Sequence, residues 1–407
     1  MRIGIDAHFA SYELRGIGKY VCQLVSRLIQ TGGGVGHQYA KDDRNPNENE
    51  YVIYGDPRAF PESTAGGRVR FRDPGSLPYP LWEQSVLPVW TYQDRLEILH
   101  CPANTAPLAC PSGVKLVITI HDVMYLLPSA VLAASRVPRQ QLGRFYRRMV
   151  VPRVARRADR IITVSEFSKQ EVVEYLAIPP DRIRVIHEGV NPCFAARAGA
   201  PPLPPKELEG ARLDSPFILT LGADDPRKNT LAAIRAYASR WREFPQQERL
   251  VIVGLRDWRS SAAYRLVGEM GLSDRVWFAG YVPEEVLAWM YASARCFLYP
   301  TRYEGFGFPV LEAMACGAPV IASEGTSVSE IAGGAAILVN PSSEKSIGAA
   351  LVRLLGDEAL RRELIERGSA QARKFDWHKT VEQTLGVYAE LAAASGRRAF
   401  VGQGSAR

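Results

Sequence analysis

Short apolar runs recur along the chain, and between them the apolar residues change to helical spacing. The runs lie at residues 2–7, 51–54, 98–101, 116–120, 160–164 and 183–186, and again at 217–221, 250–253, 276–279, 296–300, 319–322 and 331–340. Each is about the length of one strand, and the Val and Ile they carry suit a strand buried on both faces. After the first run, Val21, Leu24, Val25 and Leu28 repeat at i, i+3, i+4 and i+7, the stripe of a helix with one buried face. Strand and helix in alternation predict an α/β protein built on parallel, doubly wound sheets. A break in composition divides the pattern. Residues 196–212 hold Pro201, Pro202, Pro204 and Pro205, which favour extended chain over helix or central strand. The expected organisation is one doubly wound domain over 1–195, a linker over 196–212, a second over 213–374, and a terminal segment over 375–407. A chain of 407 residues accommodates two domains of ordinary size.

Chemistry concentrates in residues 304–317, Glu-Gly-Phe-Gly-Phe-Pro-Val-Leu-Glu-Ala-Met-Ala-Cys-Gly. The stretch leaves an apolar run, turns through Gly305 and Gly307, enters a helix at Pro309 and stops at Gly317. Proline suits a first helical turn because its missing N–H would be unpaired there, and glycine suits the position just past a helix end. The backbone amides of 306–308 then point outward at a helix N-terminus, a site that favours phosphate. Glu304 and Glu312 flank it. A carboxylate does not hold a phosphate, so these two are expected to accept hydrogen bonds from hydroxyls. Phosphate with hydroxyls on both sides describes a nucleotide sugar.

The whole stretch resembles the donor-site pattern, two glutamates separated by seven residues, of the family-four retaining glycosyltransferases. The resemblance extends over roughly residues 1–390. It implies the GT-B fold, in which two Rossmann-like domains face one another across a cleft. It also implies that Glu304 holds donor-sugar hydroxyls, that Glu312 holds ribose hydroxyls, and that Gly305, Phe306, Gly307 and Phe308 line the donor. Further places match. Gly222-Ala223-Asp224-Asp225-Pro226-Arg227-Lys228-Asn229 follows a strand and carries two adjacent cations suited to a departing diphosphate. It resembles the family's phosphate loop, with Lys228 at its lysine; Ala223 stands where many members have arginine, and Arg227 is the candidate replacement. Gly280-Tyr281-Val282 resembles the segment that meets the nucleobase, largely through backbone. Near the N-terminus, Arg15-Gly16-Ile17-Gly18-Lys19-Tyr20 resembles the loop that faces the diphosphate, so Gly16 and Gly18 join the donor site; His8 departs from the family's usual arginine. His121, just past the run at 116–120, resembles the histidine placed near the donor sugar. Val164-Ser165-Glu166-Phe167-Ser168-Lys169 resembles a cleft-lining element, and Ser168 with Glu171 also fits a capping box. His187-Glu188-Gly189-Val190-Asn191 stands where the family reads Pro-Asn-Gly-Val-Asp, at the close of the first domain. The last helix, in relatives, crosses back onto that domain.

Catalysis is therefore expected from His121, Arg227, Lys228 and Glu304, in transfer of a hexose, mannose as the first choice, from a nucleoside diphosphate donor to a glycan or lipid-linked hydroxyl. No cofactor is implied. No Asp-x-Asp motif is present, and a metal-independent reaction is expected. A sugar-nucleotide epimerase of the same fold, or a non-catalytic nucleotide-sugar-binding subunit, are the rival readings.

Composition changes this picture in two places. Apolar content of 46% and charged content of 23% are those of a globular protein. Six scattered cysteines with no close pair predict free thiols rather than a zinc site. The first residues hold no apolar leader, and no stretch is long enough to span a bilayer, so a cytoplasmic location is expected. The net charge of +7 asks for an anionic partner. Its densest source is Arg136, Arg139, Arg144, Arg147, Arg148, Arg153, Arg156, Arg157 and Arg160, interleaved with an apolar stripe of Leu142, Phe145, Tyr146, Met149, Val150 and Val154. The segment reads either as an interfacial helix drawn to anionic lipid at the inner membrane face, or as the solvated basic face of a core helix. The aromatic platforms of nucleic-acid binders are missing, so nucleic acid is not an expected partner. Residues 31–50, rich in Gly, Asn and charge, read as a mobile loop or insertion.

Overall fold

The computed structural model describes residues 1–11, 16–32, 49–60, 68–127, 138–195 and 215–402. Arg136, the expected linker and most of the 31–50 segment lie outside the described residues. The chain divides into two compact units. Of the described residues the first takes 1–127, 138–189 and 376–402, and the second takes 190–195 and 215–375.

The first unit is a seven-stranded parallel sheet: β1 (Arg2–Asp6), β2 (Glu50–Tyr54), β3 (Val69–Arg72), β4 (Ile98–Cys101), β5 (Lys115–Ile120), β6 (Arg160–Thr163) and β7 (Ile183–Val185), in the order β3-β2-β1-β4-β5-β6-β7. The second is a six-stranded parallel sheet: β8 (Phe217–Leu221), β9 (Arg249–Val253), β10 (Val276–Gly280), β11 (Cys296–Tyr299), β12 (Val320–Ser323) and β13 (Ala336–Val339), in the order β10-β9-β8-β11-β12-β13. Helices cover both faces of a doubly wound sheet, which is why its strands read as unbroken apolar runs. Ile3, Ile5, Leu99, Ile118 and Ile161 are buried in the first core, and Ile218, Leu250, Ile252, Leu298 and Ile321 in the second. In each sheet the chain reverses its direction of growth between two central strands, β1 and β4 in one, β8 and β11 in the other. Ligands of open α/β sheets bind outside the carboxyl ends of the strands at that reversal.

The unit boundary falls after Gly189, not after residue 195. Residues 190–195 belong to the second unit because their polar groups are satisfied there: Asn191 Nδ2 donates to Glu284 at 2.9 Å, and Cys316 Sγ donates to Phe194 O at 3.4 Å. The capping-box reading of Ser168 is also corrected. The helix Glu166–Leu176 is capped by Ser165, whose hydroxyl accepts from Ser168 N at 3.0 Å, while the Ser168 hydroxyl donates to His121 O. The GxG reading near the N-terminus changes as well. Only Gly16, with φ +39°, precedes the helix Ile17–Gly32; Gly18 sits in its first turn. The terminal helix Trp377–Gly402 packs within the first unit. Tyr388 OH meets His100 Nδ1 at 2.6 Å, and Thr380 donates to His187 O at 2.7 Å. A side chain at Gly189 would come within 2.3 Å of the Trp377 backbone nitrogen, so this packing requires glycine. All six cysteines are free thiols.

Candidate active site

In the second unit two loops leave the sheet on either side of the reversal point, one after β8 and one after β11. Local sequence shapes the first. Asp225 accepts from Arg227 N at 3.0 Å and opens the short turn Pro226–Lys228, with proline at its start. Asn229 then takes the left-handed conformation at φ +58°. Its side chain reaches out of the loop to Pro300 O at 2.9 Å and Pro341 O at 2.7 Å. Arg227 O accepts from Arg302 N at 2.7 Å and from the Thr301 hydroxyl at 2.8 Å. These bonds lash the two loops together across the reversal point.

Lys228 and Glu304 meet where the loops join. Lys228 Nζ donates to Glu304 Oε1 at 2.6 Å and to Tyr299 OH at 2.7 Å, and Tyr299 OH donates to the same Oε1 at 2.7 Å. Thr301 adds a weaker contact to Oε1 at 3.2 Å. Burial, reinforced by the Glu304 carboxylate, pushes the Tyr299 phenol well above its usual range, so the hydroxyl stays protonated and serves as a donor. Every donor converges on one oxygen. Among the described residues Glu304 Oε2 takes no hydrogen bond, which leaves an acceptor beside an ammonium that has two of its three protons engaged.

The stretch at 304–317 folds as its residue types demand. Gly307 has φ +117°, and a Cβ there would come within 3.2 Å of Val328 Cγ2, so the turn requires glycine. The helix Phe308–Ala315 follows, with Pro309 in its first turn. Glu312 is buried on this helix, and its charge helps to raise the Tyr291 phenol, for which burial is the larger cause. Gly280, at φ +69°, ends β10, and its carbonyl accepts from Gly254 N at 2.6 Å. That bond brings the loop after β9 alongside Tyr281, whose exposed ring has the Arg256 guanidinium 5.2 Å from its centre. Val282 follows on the way to the helix Glu284–Ser293.

Arg227 departs from expectation. Its guanidinium folds back on Asp225, with Nε 3.0 Å from Oδ2 and 3.1 Å from Oδ1, instead of standing beside Lys228 as a second open cation. The cause is local, since Asp225 lies within reach of its own turn. Burial works to raise the Asp225 pKa, but the bonds and charge of Arg227 outweigh it and hold the carboxyl below its usual range. Sequence reading missed Tyr299, Thr301 and Asn229. A hydroxyl at the carboxyl end of an apolar strand was the available signal for Tyr299.

In the first unit His121 follows β5 and both of its ring nitrogens are bonded to protein. Nε2 lies 2.9 Å from Pro102 O and Nδ1 lies 3.1 Å from Glu188 Oε1. Its backbone N–H donates to Asn104 Oδ1 at 2.7 Å, and the Tyr20 ring lies nearly perpendicular to the imidazole with ring centres 4.7 Å apart.

Residues 206–371 match the family model for glycosyl transferases group 1, and residues 14–193 match that for glycosyltransferase family 4. The chain belongs to this glycosyltransferase family. It is 35% identical to O-antigen chain mannosyltransferase B of Escherichia coli over 57% of this chain and 60% of that protein. It is 34% identical to the serotype-specific mannosyltransferase WbdA of Escherichia coli over 59% of this chain and 30% of that one. The matches thus span less than two thirds of either relative. A longer share, 69% of this chain and 66% of the relative, aligns at 31% identity with the MMP alpha-(1->4)-mannosyltransferase of Mycolicibacterium hassiacum. Among solved structures, sucrose-phosphate synthase from Thermosynechococcus elongatus superposes with a TM-score of 0.67 at 21% identity, covering 97% of this chain and 99% of that one. Anabaena HepE in complex with UDP and glucose superposes at 0.66 with 15% identity, over 96% and 100% of the two chains. With two parallel α/β sheets and these neighbours, this family member has the GT-B fold.

Proposed function

We propose that this protein is a retaining, metal-independent glycosyltransferase that moves a hexose, mannose in the first instance, from a nucleoside diphosphate donor to a hydroxyl of a glycan or lipid-linked acceptor in surface polysaccharide synthesis. The observation that carries the reading is the Lys228–Glu304 pair at the reversal point of the second sheet. The third proton of Lys228 and the amides at the start of the helix Phe308–Ala315 would take the charge that grows on the departing diphosphate. Glu304 Oε2 would accept from a sugar hydroxyl. In the front-face displacement proposed here, the bond from the anomeric carbon to phosphate breaks as the acceptor oxygen bonds on the same face. The acceptor's proton passes to the leaving phosphate, so the nucleoside diphosphate carries it away. Mannose is supported by the names of three relatives, all mannosyltransferases. The test is ligand-detected binding of UDP, GDP, ADP and dTDP with their sugars, with and without EDTA, followed by product analysis with the bound donor. One nucleotide binding insensitively to EDTA, with retained anomeric configuration in the product, is expected. Release of an isomerised sugar without acceptor would make the protein an epimerase instead.

The helix Pro138–Arg157 supports a membrane-surface acceptor. Leu142, Phe145 and Met149 form one stripe at i, i+3 and i+7, and are 68%, 62% and 43% exposed. Arg144 and Arg148 bond the carbonyls of Tyr125 and Leu127, Arg153 that of Met149 and Arg157 that of Leu108; Arg153, Arg156 and Arg157 are exposed and carry charge beyond the stripe. No helix among the described residues is long and apolar enough to cross a membrane. Co-sedimentation with vesicles containing phosphatidylglycerol, lost in a Leu142→Ser/Phe145→Ser double variant and absent with phosphatidylcholine alone, is the expected result. Equal sedimentation of both proteins would exclude the stripe as the docking surface.

A further inference from the structure

His121 joins four strand ends. Pro102 and Asn104 follow β4, His121 itself follows β5, Ser168 lies on the helix after β6, and Glu188 follows β7. One carbonyl oxygen, one amide oxygen, one hydroxyl and one carboxylate thus fix the ring and both backbone groups of a single residue. The chemistry of those partners settles where the protons lie. Pro102 O can only accept, so Nε2 carries a proton whatever the charge of the ring. Nδ1 then faces Glu188 either as an N–H donating to a carboxylate or as a lone pair accepting from a carboxylic acid. Both arrangements hold one exchangeable proton between the two groups. Without it, a lone pair and a carboxylate would be left facing each other 3.1 Å apart in a buried site. The second oxygen of Glu188 is fully buried and has no hydrogen-bond partner among the described residues, so the carboxylate depends on this one contact for its bonding.

We propose that Glu188 is a positioning residue for His121, keeping the imidazole oriented and proton-bearing by sharing a single proton with it. The directions of titration agree. Burial works to lower the pKa of His121, but the bond and charge of Glu188 and the Pro102 carbonyl outweigh it and raise the pKa above the ordinary imidazole value. Burial raises Glu188 above the usual carboxylate range, with the His121 bond only partly opposing it. Both shifts retain the proton. The other ionisable groups facing the pair are Tyr20 on the helix Ile17–Gly32, whose phenol is pushed up by burial, and His100 on β4, which burial keeps neutral. Asp122 and His187 adjoin the two partners in sequence and add their charges to them. Glu188 stands where the resembled pattern commonly has asparagine, an amide that cannot share a titrating proton, so this pairing depends on the carboxylate. Its functional part rests on the reading that His121 lies near the donor sugar.

The test begins with NMR of protein carrying 13C,15N-labelled histidine from about pH 5 to pH 9, with His121→Asn to assign the ring signals. The wild-type His121 ring should keep the proton-sharing signature, with both nitrogens protonated or in fast exchange with Glu188, above the ordinary imidazole value of about 6.5. In Glu188→Gln the amide donates to Nδ1, and the ring should become a neutral Nε2–H tautomer above about pH 6. A ring whose Nδ1 gives the same signal at pH 7 in wild type as in Glu188→Gln, or that titrates alike in both proteins, would overturn the pairing. These signals report the pair whether or not the donor assignment holds. With GDP-mannose as the probe, Glu188→Gln should lower kcat about tenfold with little change in KM, and Glu188→Asp should recover part of the loss. Unchanged kcat in a folded Glu188→Gln protein would overturn the positioning role. If Glu188→Gln does not fold, the same two readouts are taken on Glu188→Asp, where a wild-type pH profile would count against it.

Discussion

Replacing Lys228 by alanine separates the chemistry of the second unit from its stability. The ammonium has three protons, and two are committed to Glu304 Oε1 and Tyr299 OH at 2.6 and 2.7 Å. One remains for a phosphate oxygen, so the loss expected is that of a single preorganised donor, about 2.7–4 kcal/mol of transition-state stabilisation or 10²- to 10³-fold in kcat. The effect on folding is smaller. The two side chains are 28% and 15% exposed, which places the pair between the weak exposed kind and the costly buried kind. Glu304 also keeps Tyr299 and Thr301 as donors after the substitution. A destabilisation of about 1 kcal/mol follows, a fall in Tm of roughly 2–4 °C for a unit of this size. The assay is release of nucleoside diphosphate from the donor identified by binding, beside thermal unfolding of the same preparation. Turnover within about threefold of wild type in a folded Lys228→Ala protein would refute the assignment of a phosphate role to Lys228.

The remaining predictions concern the scaffold. Gly307→Ala places a Cβ against Val328 at a φ of +117°, and should cost about 1–3 kcal/mol of stability in denaturant titration; an unchanged midpoint would contradict the strain. Asn229→Ala removes the two bonds to Pro300 O and Pro341 O and should lower stability by about 2 kcal/mol while reducing kcat/KM, because the loops bearing Lys228 and Glu304 lose one of their ties. Wild-type kcat/KM in that variant would show that the tie is dispensable. Burial, with a smaller contribution from His121, pulls the pKa of His100 down to about 3. The unfolded chain therefore takes up a proton near the ordinary value of about 6.5 while the native state does not, so stability falls as pH drops below that value and is flat above it. The contribution lost by pH 5 is roughly 2 kcal/mol. His100→Gln should narrow its stability gap from wild type by that amount between pH 7 and pH 5, and a constant gap would refute the linkage.

The elements of this protein, and the chemical character of its donor loop, are legible in the sequence because local forces set them. Apolar runs such as 217–221 and 296–300 are of strand length and read as buried strands, and the alternation with helical spacing leaves parallel sheets as the arrangement that buries both. Gly307 and Pro309 are read from backbone sterics alone, without reference to any distant residue. Who meets whom was decided only in three dimensions. The apolar runs are interchangeable as core, so nothing in them states that β8 lies beside β11; that neighbour relation carries Lys228 to Glu304, 76 residues away. The same holds for His121, whose partners come from the ends of β4, β6 and β7, and for Phe194, which packs with the second unit beyond the expected boundary. Arg227 shows the reverse limit: its partner Asp225 is two residues away, yet the turn, and not the composition of the loop, made the carboxylate its nearest charge. Sequence determines which segments must be buried and where the backbone must bend. The hydrogen bonds that make a site out of them depend on strand order, a property of the packed sheet and of no single segment.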